Sequence, residues 1–122
     1  MSQMLLSINP EHVENIILGN KRYEFRKVRC RSEIKRIIIY STSPVMQVVA
    51  EAEVLGIIED NPDSVWDLTF EYAGISKSFY DRYFDGKEKA VAYHLGEIIK
   101  YSKPKKLSDY GIKFAPQSFV YV

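Results

Sequence analysis

The hydrophobic pattern of this chain changes period several times, and each change marks an element. Met4 to Ile8 is a compact apolar run that predicts an opening strand. In "INPEHVENIILGN" the spacing lengthens to the helical period, with Val13, Ile16 and Ile17 on one stripe. Asn9 is placed to cap that helix and Pro10 fits its first turn. Glu11 suits the positive end of the dipole, and Gly19 is the αL stop. "KRYEFRKVR" then alternates with period two: Tyr23 and Phe25 face one way, Arg22, Glu24 and Arg26 the other.

Further along, "KRIIIYSTSP" is β-branched and apolar, which predicts a buried strand closed by a polar turn from Ser41 to Pro44. "QVVAEAEVLGII" reads as a longer strand. Val48, Ala50, Ala52, Val54 and Ile58 line one face. Glu51 and Glu53 share the other with Val49, Leu55 and Ile57, and Gly56 supplies a bend or bulge. A helix is predicted from the cap Asn61 to the stop Gly74, and another from Ser76 to Gly86 with Phe79, Tyr80, Tyr83 and Phe84 on one side. "KAVAYHLGEIIKY" is again a strand, "PKKLSDYG" a loop or short helical turn, and "QSFVYV" a closing strand. Uneven strands with helices inserted between them predict an α+β domain, a small mixed barrel with helices packed over its ends. A flat ferredoxin-like sandwich is the alternative, but it expects longer helices. Residues 1–122 read as a single domain, without repeats, linkers or low-complexity tracts.

Composition adds the class. Apolar residues make up 46% and charged ones 27%, a globular profile. No apolar run approaches the roughly 20 residues needed to span a bilayer, and "MSQMLLSINP" lacks the basic lead of a signal peptide. The single cysteine, Cys30, excludes an internal disulfide and suits a reducing compartment. A cytoplasmic protein that avoids membranes is the expectation.

Net charge is only +1, yet it is segregated. Asn20 to Arg36 holds eight basic residues and two acids, and Lys100 to Lys113 five lysines and one aspartate; Glu59 to Asp85 holds seven acids against two bases. If the two basic segments meet in space, Arg22, Lys27, Arg29, Lys103, Lys105 and Lys106 are candidates for phosphate contacts. Basic residues that discourage pairing at strand edges would produce the same pattern.

Glycine-rich phosphate loops, nucleophile elbows and metal-ligand spacings are all missing, and no cofactor is implied. What stands out is Lys21, Glu24 and Arg26. Glu24 and Arg26 project from one strand face, close enough for an ion pair near a rim, and Lys21 sits at the helix-to-strand junction. A lysine beside a carboxylate in a partly buried mouth can bind an anion, or with a shifted pKa act as base or nucleophile. A surface salt bridge beside a solvated lysine is the competing account. The aromatics Tyr72, Phe79, Tyr80, Tyr83 and Phe84 could stack on bases, but their helical spacing favours core packing, as does that of Trp66. Glu51 and Glu53 could sit at a glycosidase separation, though a solvent-facing strand explains them more simply.

"GNKRYEFR" resembles the G-x-K-x-x-E-x-R signature of the ASCH domain family, a branch of the PUA-like superfamily of small β-barrels. "LLSINPEHVENIILGNK", "IYSTSP", "VVAEAEV", "GISKSFYDRYFDGK" and "APQSFVY" also match, in order, the short stand-alone members of that family. The resemblance implies a PUA-like β-barrel with a cleft beside the first helix that binds RNA, another nucleic acid or a modified nucleoside. Lys21, Glu24 and Arg26 would line that cleft, with Ser41, Ser43, Gln117 and Ser118 as further polar contacts.

Some small ASCH proteins are amidohydrolases acting on N4-acetylcytidine. They use a lysine, a threonine where this chain has Glu24, and a glutamate in a later helix, near which Glu71 falls. The resemblance therefore also implies an alternative: a hydrolase of acylated nucleosides, or a ribonuclease, with Lys21 and Glu24 catalytic. A regulatory module whose ligand is another protein is a third possibility.

Overall fold

A computed structural model describes residues 3–31 and 33–122. Along the chain the elements are β1 (Gln3–Ile8), α1 (Pro10–Leu18), β2 (Tyr23–Arg26), β3 (Arg36–Ser41) and β4 (Gln47–Asp60), then α2 (Pro62–Thr69), a 3-10 turn (Phe70–Tyr72), α3 (Lys77–Tyr83), β5 (Ala90–Lys105), a second 3-10 turn (Leu107–Tyr110) and β6 (Phe119–Tyr121). The described residues form a six-stranded sheet, ordered β2-β5-β4-β3-β1-β6 and curled into a half-barrel, so the expected α+β barrel is borne out. β1 runs parallel to β3, and β6 runs antiparallel to β1 with Met4 opposite Tyr121. The backbone N–H of Val122 donates to Gln3 O at 3.2 Å, so both ends of the described chain lie side by side.

The continuous apolar runs of β1 and β3 are explained by burial on both faces. Met4, Leu6, Ile8, Ile37 and Ile39 point into the barrel with Val13 and Ile16 of α1. Leu5, Ile38 and Tyr40 point outward and are covered by Tyr101, Leu107 and Tyr110. β5 solves the same problem with side-chain size. Its large Val91, Tyr93 and Leu95 fill the interior. Its small Ala90 and Ala92 let Phe25, Val65, Tyr80 and Phe84 approach the outer face. Register shifts at Val48/Ala50, Ala52/Val54 and Val54/Gly56 bend β4 along the barrel wall, as its length and Gly56 suggest.

Differences from the sequence reading lie at element ends. The helix expected through Gly74 leaves α geometry after Thr69, whose hydroxyl donates back to Val65 O at 2.8 Å, and a 3-10 turn follows. β2 is only four residues long, and β5 runs on through Lys105.

Candidate functional site

Two edges of the half-barrel, β2 and β6, stay unpaired with each other, and the site lies in the seam between them. α1 delivers the chain to that seam. Asn9 Oδ1 caps it by accepting from Glu11 N at 3.0 Å, and Gly19, at φ 86°, ends it. The N–H groups of Asn20 and Lys21 both donate to Asn15 O, at 3.0 and 3.1 Å, which turns the backbone sharply. Arg22 then locks onto both sides: its N–H donates to Tyr72 O, and its carbonyl accepts from Leu95 N, each at 2.8 Å. Lys21 is thereby fixed pointing inward.

Lys21 is only 2% exposed. Its Nζ donates to Ala73 O at 2.9 Å and stands 4.8 Å from the centre of the Phe25 ring. Burial pushes its pKa below the ordinary lysine value; the Glu24 carboxylate works in the opposite sense, and Arg26 adds to the lowering. Gly74, with φ +69°, passes so close that any Cβ there would collide with the Lys21 side chain. Only glycine lets the α2–α3 connection present the Ala73 carbonyl to the ammonium.

The strand alternation put Glu24 and Arg26 on one face, and they do pair. Arg26 Nη2 and Nε donate to Glu24 Oε2 at 2.8 and 3.1 Å. They are far more enclosed than a rim pair, with side-chain exposures of 13% for Arg26 and 8% for Glu24. Arg26 Nη2 also crosses the seam to Ser7 O at 2.9 Å, and Nη1 reaches Ser118 Oγ at 3.5 Å. Ser7 ties the closing segment down: its N–H donates to Ser118 O at 3.1 Å and its hydroxyl to Pro116 O at 2.7 Å. Arg26 thus does in side-chain bonds what a strand ladder does elsewhere.

A cavity of about 170 Å³ opens along the free edge of β2. Lys21, Glu24 and Arg26 line one side, with Ser7 and His12 opposite, and Phe79 and Tyr83 of α3 close it. Phe79 and Tyr83 lie nearly parallel, 6.5 Å apart at 8°. Tyr83 OH approaches Phe25 O at 3.5 Å, and Lys27 Nζ lies 4.7 Å above the Tyr83 ring. The His12 ring meets Phe79 edge-on at 5.5 Å, and its buried Nδ1 has no hydrogen-bond partner among the described residues. Burial first, then the Lys21 charge, hold the His12 pKa below its ordinary value, while burial raises that of Tyr83.

Sequence reasoning did not single out His12, and it favoured the core for the whole aromatic set. Tyr80 and Phe84 do enter the core, at 1% and 3% exposure, but Phe79 is 38% exposed and walls the cavity with Tyr83. The signal was the width of the stripe: three aromatics on a seven-residue helix, with Phe84 at its C-cap, are more than one face can bury.

The remaining candidates divide. Ser118 joins the cluster through Arg26, and exposed Gln117 precedes it. Ser41 is buried at the end of β3 in register with Ile8, whereas Ser43 is exposed in the turn beyond. The Arg22 guanidinium stacks 4.0 Å from the Tyr72 ring, and Arg29 pairs with Glu59 at 3.6 Å. Lys103, Lys105 and Lys106 are exposed at the far end of β5, where Lys105 faces Val48 and lies 4.5 Å from the Tyr101 ring. None of the three lines this cavity; the two basic segments meet instead away from it, where Arg36 and Tyr101 share the Glu51 carboxylate. Glu51 bonds Tyr101 OH at 2.9 Å and Arg36 at 2.7 Å, and Glu53 accepts from Glu97 N at 3.3 Å, so both are engaged in holding the sheet. Among the described residues no three His, Cys, Asp or Glu side chains gather as metal ligands, and no helix is long and apolar enough to cross a membrane.

No family model matches the chain. A crystal structure of ASCH from Zymomonas mobilis superposes with a TM-score of 0.90 at 28% identity, covering 99% of this chain and 87% of that one. The ASCH domain-containing ribonuclease of Zymomonas mobilis subsp. mobilis is 33% identical over 94 residues, 76% of this chain and 64% of that protein. Large ribosomal subunit protein uL22 of Ureaplasma parvum serovar 3 is 30% identical over 120 residues, 98% of this chain but 39% of that protein. The chain therefore spans about two fifths of one curated relative's length and just under two thirds of the other's.

Proposed function

The chain belongs to the ASCH domain family, and from that premise we propose that it binds RNA, seating one unit of a single strand, or a modified nucleoside, in the cavity beside α1. Lys21 carries this reading. A buried ammonium has three donors, and among the described residues Lys21 makes one hydrogen bond, to Ala73 O. Lys21 lines a cavity together with Arg26, Ser7 and His12, so a ligand oxygen from phosphate, ribose or base carbonyl placed there would complete its hydrogen bonds. At about 170 Å³ the space lies below the range of drug-sized pockets, which suits one base or one backbone unit rather than a duplex. Phe79 and Tyr83 supply the stacking surface, with Lys27 over the Tyr83 ring and Ser118 reached by Arg26. The relative named as a ribonuclease supports RNA as the polymer.

Titration of a fluorescent single-stranded RNA pentamer tests this. Lys21→Met should weaken binding at least about tenfold, the loss of a charge-assisted contact. With two or three phosphates engaged, log affinity against log salt should slope about −1.4 to −2.1. Equal binding by Lys21→Met would overturn the reading. A slope near −4 would bring in Lys103, Lys105 and Lys106 as phosphate contacts.

A hydrolytic reading of the same cavity is favoured by the lowered pKa of Lys21, which raises its unprotonated fraction and so its capacity as a base. Glu24, paired with Arg26, stands where the amidohydrolases carry a hydroxyl, so RNA phosphodiester is the better substrate class. Cleavage of end-labelled RNA by the wild type and not by Lys21→Met would establish it, with N4-acetylcytidine as the parallel substrate. No product above a protein-free blank leaves binding alone.

A further inference from the structure

Of the eight basic residues between Asn20 and Arg36, five are engaged. Lys21 and Arg26 belong to the cavity, and Arg22 stacks on Tyr72. Arg36 pairs with Glu51 at 2.7 Å and Arg29 with Glu59 at 3.6 Å. Lys27, Arg31 and Lys35 remain, exposed and without an ion pair among the described residues. All three stand on the connection between β2 and β3, and its anchoring explains their exposure. Cys30 and Ile34 enter the core, each 4% exposed, and Cys30 N donates to Tyr93 OH at 3.0 Å. Lys35 O accepts from Val54 N at 2.9 Å. The described residues of the connection form no strand, so charges that discourage edge pairing do not account for these cations.

The connection starts beside the cavity and follows the seam. Lys27 Nζ lies over the ring of Tyr83, which walls the cavity. Arg31 N donates to Tyr121 OH of β6 at 2.9 Å. Tyr121 is three residues, roughly 10 Å along a strand, from the Ser118 that Arg26 reaches. A recess of about 690 Å³ opens between the connection and β4, lined by Arg29, Arg31 and Lys35, with Glu33 and Glu53 as its acids. Glu53 is turned to β5, where it accepts from Glu97 N at 3.3 Å.

We propose that the β2–β3 connection is a phosphate track, on which Lys27, Arg31 and Lys35 hold the backbone of a single strand that has one unit seated in the cavity. This rests on the RNA reading above and adds a footprint to it. Exposed, unpaired cations bind phosphates as point charges and release counterions, without reading the bases. A longer strand gains affinity merely by offering more registers, but only additional phosphate contacts steepen its salt dependence.

Anisotropy titrations of a fluorescent uridine trimer and a uridine dodecamer across a range of salt concentrations test this. The trimer has two phosphates for the cavity to use, whereas the dodecamer reaches the track. Arg31→Gln combined with Lys35→Gln should make the dodecamer's log–log salt slope shallower by about 1.4, the loss of two phosphate contacts. The same variant should bind the trimer within about twofold of wild type and keep the wild-type melting temperature, because both side chains are exposed. An unchanged dodecamer slope overturns the proposal, and trimer binding that still depends on Lys21 then leaves the RNA reading standing. Decaglutamate that displaces the dodecamer as well as unlabelled RNA does would make the connection a dock for an acidic protein segment, and overturn it too. If neither RNA binds, the RNA reading and this one fall together.

Discussion

The Lys21 ammonium bonds the Ala73 carbonyl across 52 positions of sequence, joining the α1–β2 junction to the α2–α3 connection at 2.9 Å. One contact thus fixes both the buried ammonium and the connection leading into the helix that walls the cavity.

Lys21→Met separates function from stability. Methionine keeps the volume and removes a buried charge, offsetting the loss of the donor to Ala73 O. Chemical denaturation should place the variant within about 1 kcal/mol of wild type, while RNA binding falls. A loss of 3 kcal/mol or more would mean that the lysine is retained chiefly for folding.

Gly74→Ala should destabilise by about 2–4 kcal/mol, combining a strained left-handed alanine with a clash against Lys21. A shift of the urea midpoint at constant m-value is the measurement. An unchanged midpoint would mean that the connection can move away from Lys21.

For the seam, Arg26→Met should cost about 3 kcal/mol, because Glu24 is left enclosed and unpaired. Glu24→Gln combined with Arg26→Met should cost less than the two single losses added together, by about 1–2 kcal/mol in a double-mutant cycle. Additive losses would show that the pair is not coupled.

His12 supplies a pH dependence. Its folded pKa lies below the ordinary value of 6.5. Between that folded pKa and 6.5 the unfolded chain binds more protons than the folded one. Stability therefore rises with pH across the window, is free of the penalty above it, and bears the whole penalty below it. His12→Asn should flatten this part of a denaturation profile taken from pH 5 to 7.5. An unaltered slope would assign the dependence to other groups.

Sequence alone carried the local grammar well. Asn9, Pro10 and Gly19 bound α1 where their chemistry requires, and the period-two run around Glu24 and Arg26 correctly paired those side chains. Alternation tells which residues share a face; it does not tell what covers that face. Glu24 is therefore enclosed by Ser7 and the closing segment, more than a hundred residues apart in sequence. Periodicity also fails where every candidate is apolar. Phe79 and Tyr80 are neighbours on α3 of like chemistry, and only the position of β5 decides that Tyr80 enters the core while Phe79 walls the cleft. Where the second basic segment lies was likewise set by how far β5 runs, through Lys105, which its composition left open.

The pairing of β1 with β6 has a consequence for how such a domain travels between proteins. With Met4 opposite Tyr121 and Val122 bonded to Gln3, the polypeptide enters and leaves at one spot, about a strand spacing apart. A longer chain can carry this fold as a side branch at a surface turn, with its own backbone scarcely parted.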